Sequence, residues 1–187
     1  MKDISLHLMD IAQNSIVAGA DRISISLSVQ GDPQMLIFEI LDNGKGMDAE
    51  FLKKVTDPFK TSRTTRNVGL GIPLLMQSAN MAGGELIIQS ELGKGTKLQA
   101  KFEVKHIDRI PLGDISETIK MLIMANPNIS WSIHFTSQKD NFTLDTDELK
   151  HHLDGVSIAN NNVLEWIQNT ITDGIKSVYG GVLDEVN

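Results

Sequence analysis

Asp10 and Asn14 stand four residues apart in a stretch whose apolar residues recur at Leu8, Ala12 and Ile16. That spacing is helical, so the carboxylate and the carboxamide share a face opposite the apolar stripe. Such a pair can orient or deprotonate a water, and the amide oxygen can ligate a hard cation such as Mg²⁺. A solvated helix face has the same composition. Asp42-Asn43-Gly44-Lys45-Gly46 follows directly on an apolar run. A carboxylate at a strand end can accept from an exocyclic amine, and the glycines let backbone approach a flat ring; the same residues also make a tight turn. Gly69-Leu70-Gly71 precedes a helical pattern, where backbone N–H groups could take a phosphate or merely begin a flexible helix. Gly93-Lys94-Gly95-Thr96 reads as a hairpin turn entering a strand.

The excluded chemistries are clearer. With no cysteine among 187 residues, thiol nucleophiles, disulfide scaffolds and Cys-ligated metals are ruled out. The five histidines (His7, His106, His134, His151, His152) lack metal-ligand spacing. Neither His-Glu-x-x-His nor Gly-x-Ser-x-Gly occurs, and the phosphate-loop and dinucleotide patterns are missing. The apolar run at 121–125 is far below the roughly 20 residues of a membrane helix. The opening Met-Lys-Asp, with Asp3, His7 and Asp10 close behind, lacks a signal peptide's apolar run, so the expectation is a soluble, cytoplasmic protein.

Charge is unevenly placed. Of 17 basic and 24 acidic residues, residues 1–104 hold 11 and 12, and residues 105–187 hold 6 and 12. The acidic C-terminal part is a poor nucleic-acid binder. Lys53, Lys54, Lys60, Arg63 and Arg66 face a lone Asp57 within 53–66, which suits a small anionic ligand.

These residues need elements to position them. The helix carrying Asp10 ends at Gly19. Strict alternation over 22–29, turn residues at 31–33 and an apolar run over 35–41 predict a hairpin. Asp48 caps a short helix to about Val55, and 56–68 is an aperiodic loop. Leu70, Leu74 and Met81 mark one face of a helix that tolerates Pro73 in its first turn. Strands follow over 85–90 and 96–104. A connector over 105–113 leads to a capping box at Asp114 and Glu117, a helix to Pro127 and a strand through Trp131, which 142–144 can pair with. A short helix starts at Asp145, and a last one carries Val163, Ile167, Ile171, Ile175 and Val178. The fold class is an α+β two-layer sandwich with a small C-terminal α/β extension.

The order of the motifs is more specific than any one of them. Asn14 to Asp42 is 28 residues, Asp42 to Gly69 is 27, and Gly69 to Thr96 is 27. Over residues 4–104 this resembles the Bergerat-fold ATPases, the GHKL superfamily of gyrase, heat-shock chaperone, histidine kinase and mismatch-repair ATPases. Asp10-Ile-Ala-Gln-Asn14 with Ala18-Gly19-Ala20 resembles the mismatch-repair N-box, and Asp42–Gly46 the first glycine box. Residues 57–63 are similar to the lid entry of sensor and anti-sigma kinases, and Gly69-Leu70-Gly71, Gly83-Gly84 and residues 90–96 to the sensor-kinase C-terminal half. The resemblance implies a four- or five-stranded mixed sheet backed by three helices, with Mg-ATP under a mobile lid. By position it implies Asn14 on Mg²⁺, Asp42 on the adenine amino group, Gly44 and Gly46 beside the purine, and Thr96 holding adenine through water. Lys60 lies at the lid entry, Arg63 stands where a lid lysine often reaches the terminal phosphate, and Gly69, Leu70 and Gly71 form the phosphate-binding turn. The family often has a glycine where this chain has Asn67, and its hydrolysing members have Glu where this chain has Asp10.

The resemblance therefore implies an ATP-binding domain over 1–104, an α/β extension of unknown role over 105–187, and slow hydrolysis by Asp10 coupled to a protein partner. The alternatives are an anti-sigma type kinase acting on a separate protein and a non-catalytic ATP-gated module. Only nine residues precede Asp10, so an autophosphorylating arrangement with an upstream helical hairpin is not expected.

Overall fold

The computed structural model describes residues 2–55 and 71–183. The expected loop, together with Lys60, Arg63, Gly69 and Leu70, lies outside those residues. Helix α1 (Ile4–Val17) begins at Asp3, whose carboxylate accepts from the Leu6 N–H, and stops at Gly19, whose φ of +78° suits glycine. β1 (Arg22–Gln30) and β2 (Met35–Asp42) form the expected hairpin, and α2 (Ala49–Val55) is capped by Asp48. α3 (Gly71–Met81) leads into β3 (Leu86–Glu91) and β4 (Gly95–Glu103). Then come α4 (Ile115–Ala125), β5 (Ser130–Thr136), β6 (Asn141–Asp145), α5 (Thr146–His152) and α6 (Asn161–Tyr179).

The six strands form one mixed sheet in the order β3-β4-β2-β1-β5-β6. The count exceeds the four or five implied by the resemblance because β5 pairs in parallel with β1, and β6 closes against β5. Alternation sorts the two faces. Ile23, Ile25 and Leu27 with Phe38, Phe102, Trp131 and Phe135 are buried, whereas Ser24, Ser26, Ser28, Glu39 and Gln99 point the other way and stay half-exposed. α3, α1, α4 and α6 lie side by side over the buried face and share one core with it. This is a two-layer α+β sandwich.

One face assignment changes. α3 buries Gly71, Leu75 and Ala79, while Leu74 is half-buried and Met81 is exposed. Two of the three inward residues are small, which lets α3 approach α1 closely; large apolar residues alone misidentify that side. The connector also does more than connect. The carbonyls of Pro111 and Leu112 accept from the N–H groups of Ile4 and Ser5, satisfying the first turn of the helix that carries Asp10.

Candidate functional site

Asp42 is the last residue of β2 and is buried. Its carboxylate is held from three sides. The Ser15 hydroxyl donates to Oδ2 at 2.6 Å, the Gly44 N–H to Oδ1 at 2.9 Å, and the Thr96 N–H to Oδ1 at 3.3 Å. Each carboxylate oxygen can accept about two bonds, so Oδ1 is filled and Oδ2 keeps one place for a donor. Thr96 stands opposite Asp42 in the β2–β4 register. Ser90 gives its proton to the Gly95 carbonyl and accepts from the Met47 N–H. The Thr96 hydroxyl therefore donates to Ser90, 2.9 Å away, and its own lone pairs remain available.

Missing side chains let three loops close on this carboxylate. A Cβ on Gly46, whose φ is +65°, would lie 2.1 Å from the Glu91 carbonyl oxygen. One on Gly95 would lie 2.0 Å from the Asp42 carbonyl oxygen. The Gly93 N–H donates to the Lys45 carbonyl at 2.8 Å, and the Lys45 N–H to that of Ala18 at 2.9 Å. The β3–β4 turn, the 43–47 loop and the end of α1 are thereby fixed as one rigid floor.

Above that floor lies a cleft of about 520 Å³, large enough for a nucleotide-sized ligand. Asn14, Ser15, Asp42 and Thr96 supply polar atoms, while Ile11, Ile40, Met47, Phe51, Val55, Ile72, Leu92 and Leu98 supply apolar walls. Gly46 and Lys45 line it as well, whereas Gly44 sits behind Asp42 against Ala18. Sequence reasoning missed Ser15, Ser90 and the α2 wall. Ser15 falls on the buried side of α1, and only the folded chain marks it as the partner of Asp42.

Asp10 lies against α3, not on a solvated helix face. α3 starts directly above it: a Cβ on Gly71 would fall 1.7 Å from Asp10 Oδ2. That oxygen is buried and has no hydrogen-bond partner among the described residues. Asn14, one turn on, is exposed at the cleft. One turn before Asp10, the His7 side chain is completely buried, and burial chiefly lowers its pKa from 6.5 to about 4. Among the described residues no group of three or more acidic or histidine side chains is arranged to hold a metal.

A floor-bound carboxylate, an apolar slot and a helix N-terminus over a second carboxylate define an α+β nucleotide-binding module. Residues 2–106, more than half of the chain, match the family model for histidine kinase-, DNA gyrase B- and HSP90-like ATPases. The chain belongs to this family. A putative sensor protein of Shewanella frigidimarina is 41% identical over 109 residues, covering 58% of this chain and 16% of that protein. Sporulation kinase C of Bacillus subtilis is 30% identical over 97 residues, 52% of this chain and 22% of the kinase. The chain thus spans less than a quarter of the length of either relative. Among solved structures, the N-terminal domain of a DNA repair protein superposes with a TM-score of 0.52 at 16% identity, over 98% of this chain and 59% of that one, a likeness of fold.

Proposed function

We propose that the chain binds Mg-ATP in this cleft and hydrolyses it slowly, and that residues 105–187 couple nucleotide state to a protein partner in the cytoplasm. The observation that carries the reading is the Asp42 carboxylate, pinned by Ser15 and Gly44 with one acceptor place left on Oδ2. Adenine's exocyclic amine is the donor that suits it. Mg²⁺ usually keeps several waters and is held by one or two protein oxygens together with substrate phosphates. A single exposed amide oxygen, that of Asn14, fits that habit better than a full protein cage would. When bound, the ion would neutralise phosphate charge. The N-terminal N–H groups of α3 would face the phosphates, and Lys60, Arg63, Gly69 and Leu70 are assigned the remaining contacts by position.

Asp10 would orient the attacking water and take its proton. Its shorter side chain reaches less far than the family's usual Glu, which is the reason for slow turnover. Calorimetry is the direct test. Asp42→Ala should weaken Mg-ATP binding by about tenfold to a hundredfold, as expected for loss of a charge-assisted bond. Asp10→Asn should bind ATP normally and release no phosphate. Unchanged affinity in the first variant overturns the binding mode; undiminished release in the second removes Asp10 from catalysis.

A second reading is favoured by the relatives, which include a sensor protein and a sporulation kinase. In it the γ-phosphoryl passes to a separate protein in place of water. Radiolabelled ATP offered with candidate partners distinguishes the two: label on a protein supports transfer, and label released only as phosphate supports hydrolysis. The excess acid of residues 105–187 favours a protein partner over nucleic acid.

A further inference from the structure

We propose that the outward side of α1 and α4 is a docking surface for a basic amphipathic helix of a partner protein. The inference deepens, and rests on, the reading that residues 105–187 join the cleft to a partner. The two helices pack side by side and start at the same end of the molecule. The carbonyls of Pro111 and Leu112, which take the Ile4 and Ser5 N–H groups, lie just before α4. Gly71 stands on the Asp10 flank of α1, so the opposite flank, with Ser5 and Met9, faces α4. A Cβ on Gly113, two residues before α4, would indeed meet the Ser5 hydroxyl. Ile4, Leu8, Ile119 and Leu122 take both helices into the core. The outward sides nevertheless keep large apolar groups. Leu6 is 48% exposed, Met121 37% and Met124 50%, and Met9 is half-buried. A single exposed apolar residue is ordinary, but a strip of them along two neighbouring helices marks a contact surface. Methionine suits it, because its flexible side chain moulds to a partner.

Charge decides what covers the strip. α1 contains no Lys or Arg and α4 only Lys120, which Glu117 and Gln168 already hold. Asp114 opens α4, and Glu165 projects from α6 one turn before Gln168, on the side that meets α4. Glu165 is exposed and has no ion pair or hydrogen bond among the described residues. An apolar strip edged by Asp114, Glu117 and Glu165 fits a helix with apolar residues at i, i+3/i+4 and i+7, flanked by Lys or Arg. The furrow between two helices takes a third helix; the free sheet edges, β3 and β6, lie elsewhere. A second copy does not fit, because two-fold pairing of this side sets its carboxylates against one another. The position also suits coupling. α1 carries Asn14 and Ser15 at the cleft on its other sides, so a helix laid on Leu6 and Met9 bears on the element that shapes the nucleotide site. Nucleotide and partner then change each other's affinity by one common factor.

The probe is a labelled amphipathic peptide of Leu and Lys in helical period, about 18 residues long, with a Leu and Glu counterpart. Fluorescence anisotropy with the full chain reads binding. The Lys peptide should bind and the Glu peptide should not. The double variant Met121→Asn/Met124→Asn should weaken the Lys peptide at least about tenfold. Glu165→Lys should weaken it about threefold and flatten its salt dependence. Ile107→Asn, which alters an 88% exposed side chain in the connector, should change nothing. Equal binding of both peptides, or equal loss in the Ile107 and methionine variants, overturns the proposal. So does a wild-type dimer in sedimentation that the methionine variants make monomeric, since a second copy then occupies the strip. Should the methionine variants unfold, Glu165→Lys decides, and undiminished Lys-peptide binding overturns the proposal. None of these residues lines the cleft, so ATP affinity by calorimetry should match the wild type in each variant. Peptide affinity that ignores Mg-ATP, with the methionine effect intact, supports the surface and overturns only the coupling reading.

Discussion

Burial holds the His7 imidazole neutral, with its pKa lowered from 6.5 to about 4, so the unfolded chain takes up a proton at a higher pH than the folded chain does. The contribution to stability is intact above pH 6.5 and is lost as pH falls from there toward 4, by up to about 3 kcal/mol. The melting temperature of the wild type should fall relative to that of His7→Leu as acid is added across that range, because only the wild type carries this loss; a constant difference counts against it. Glycines offer a second residue-scale prediction. Gly46 and Gly19 both have positive φ, but a Cβ on Gly46 strikes the Glu91 carbonyl while one on Gly19 meets nothing within 4 Å. Gly19→Ala should cost about 1 kcal/mol by backbone strain alone. Gly46→Ala should cost at least about 3 kcal/mol, read as a lower denaturant midpoint. Asp10, Asn14, Asp42 and Thr96 were legible in the chain as a spacing of types. Ser15 was not, since a serine beside an asparagine says nothing until β2 brings Asp42 within 2.6 Å of it.

At the scale of elements, α1 concentrates the chemistry. Its buried side places Ser15 on Asp42, and the next faces carry His7 and Asp10 under α3 and Asn14 at the cleft. Ser15→Ala should therefore lower stability by about 1–2 kcal/mol and also weaken ATP binding, because Oδ2 is no longer fixed. Paired thermal melts and calorimetry check both; a stability loss with unchanged affinity would show that the hydroxyl serves only the fold. The strands were legible because alternation over 22–29 and at 98, 100 and 102 has one period and one buried face. The orientation of α3 was not. Its inward side is set by Gly71 and Ala79, and small residues carry no hydrophobic signal, although they decide how near two helices can come.

For the whole molecule, the decisive feature is that the sheet runs without a break through both halves of the chain. β5 covers the edge of β1, and the buried Arg109 ties the halves at the far end, donating from Nε to the Val104 carbonyl at 2.8 Å and from Nη2 to that of Leu183 at 3.0 Å. A chain cut after residue 104 would expose the β1 edge and strip the core of Trp131, Ile133 and Phe135. Such a truncation should aggregate on size exclusion, whereas a monomeric, ATP-binding fragment would show that the first part folds alone. By itself the sequence determined which residue types recur at which spacing, and so the family, the Asp42 carboxylate and the strand and helix periods, all of which depend on local order along the chain. Only the tertiary structure decided that Asp10 lies beneath α3, that Ser15 holds Asp42, and that β5 joins the sheet in parallel with β1. Those facts depend on which surfaces meet, and burial and strand pairing are properties of two segments at once.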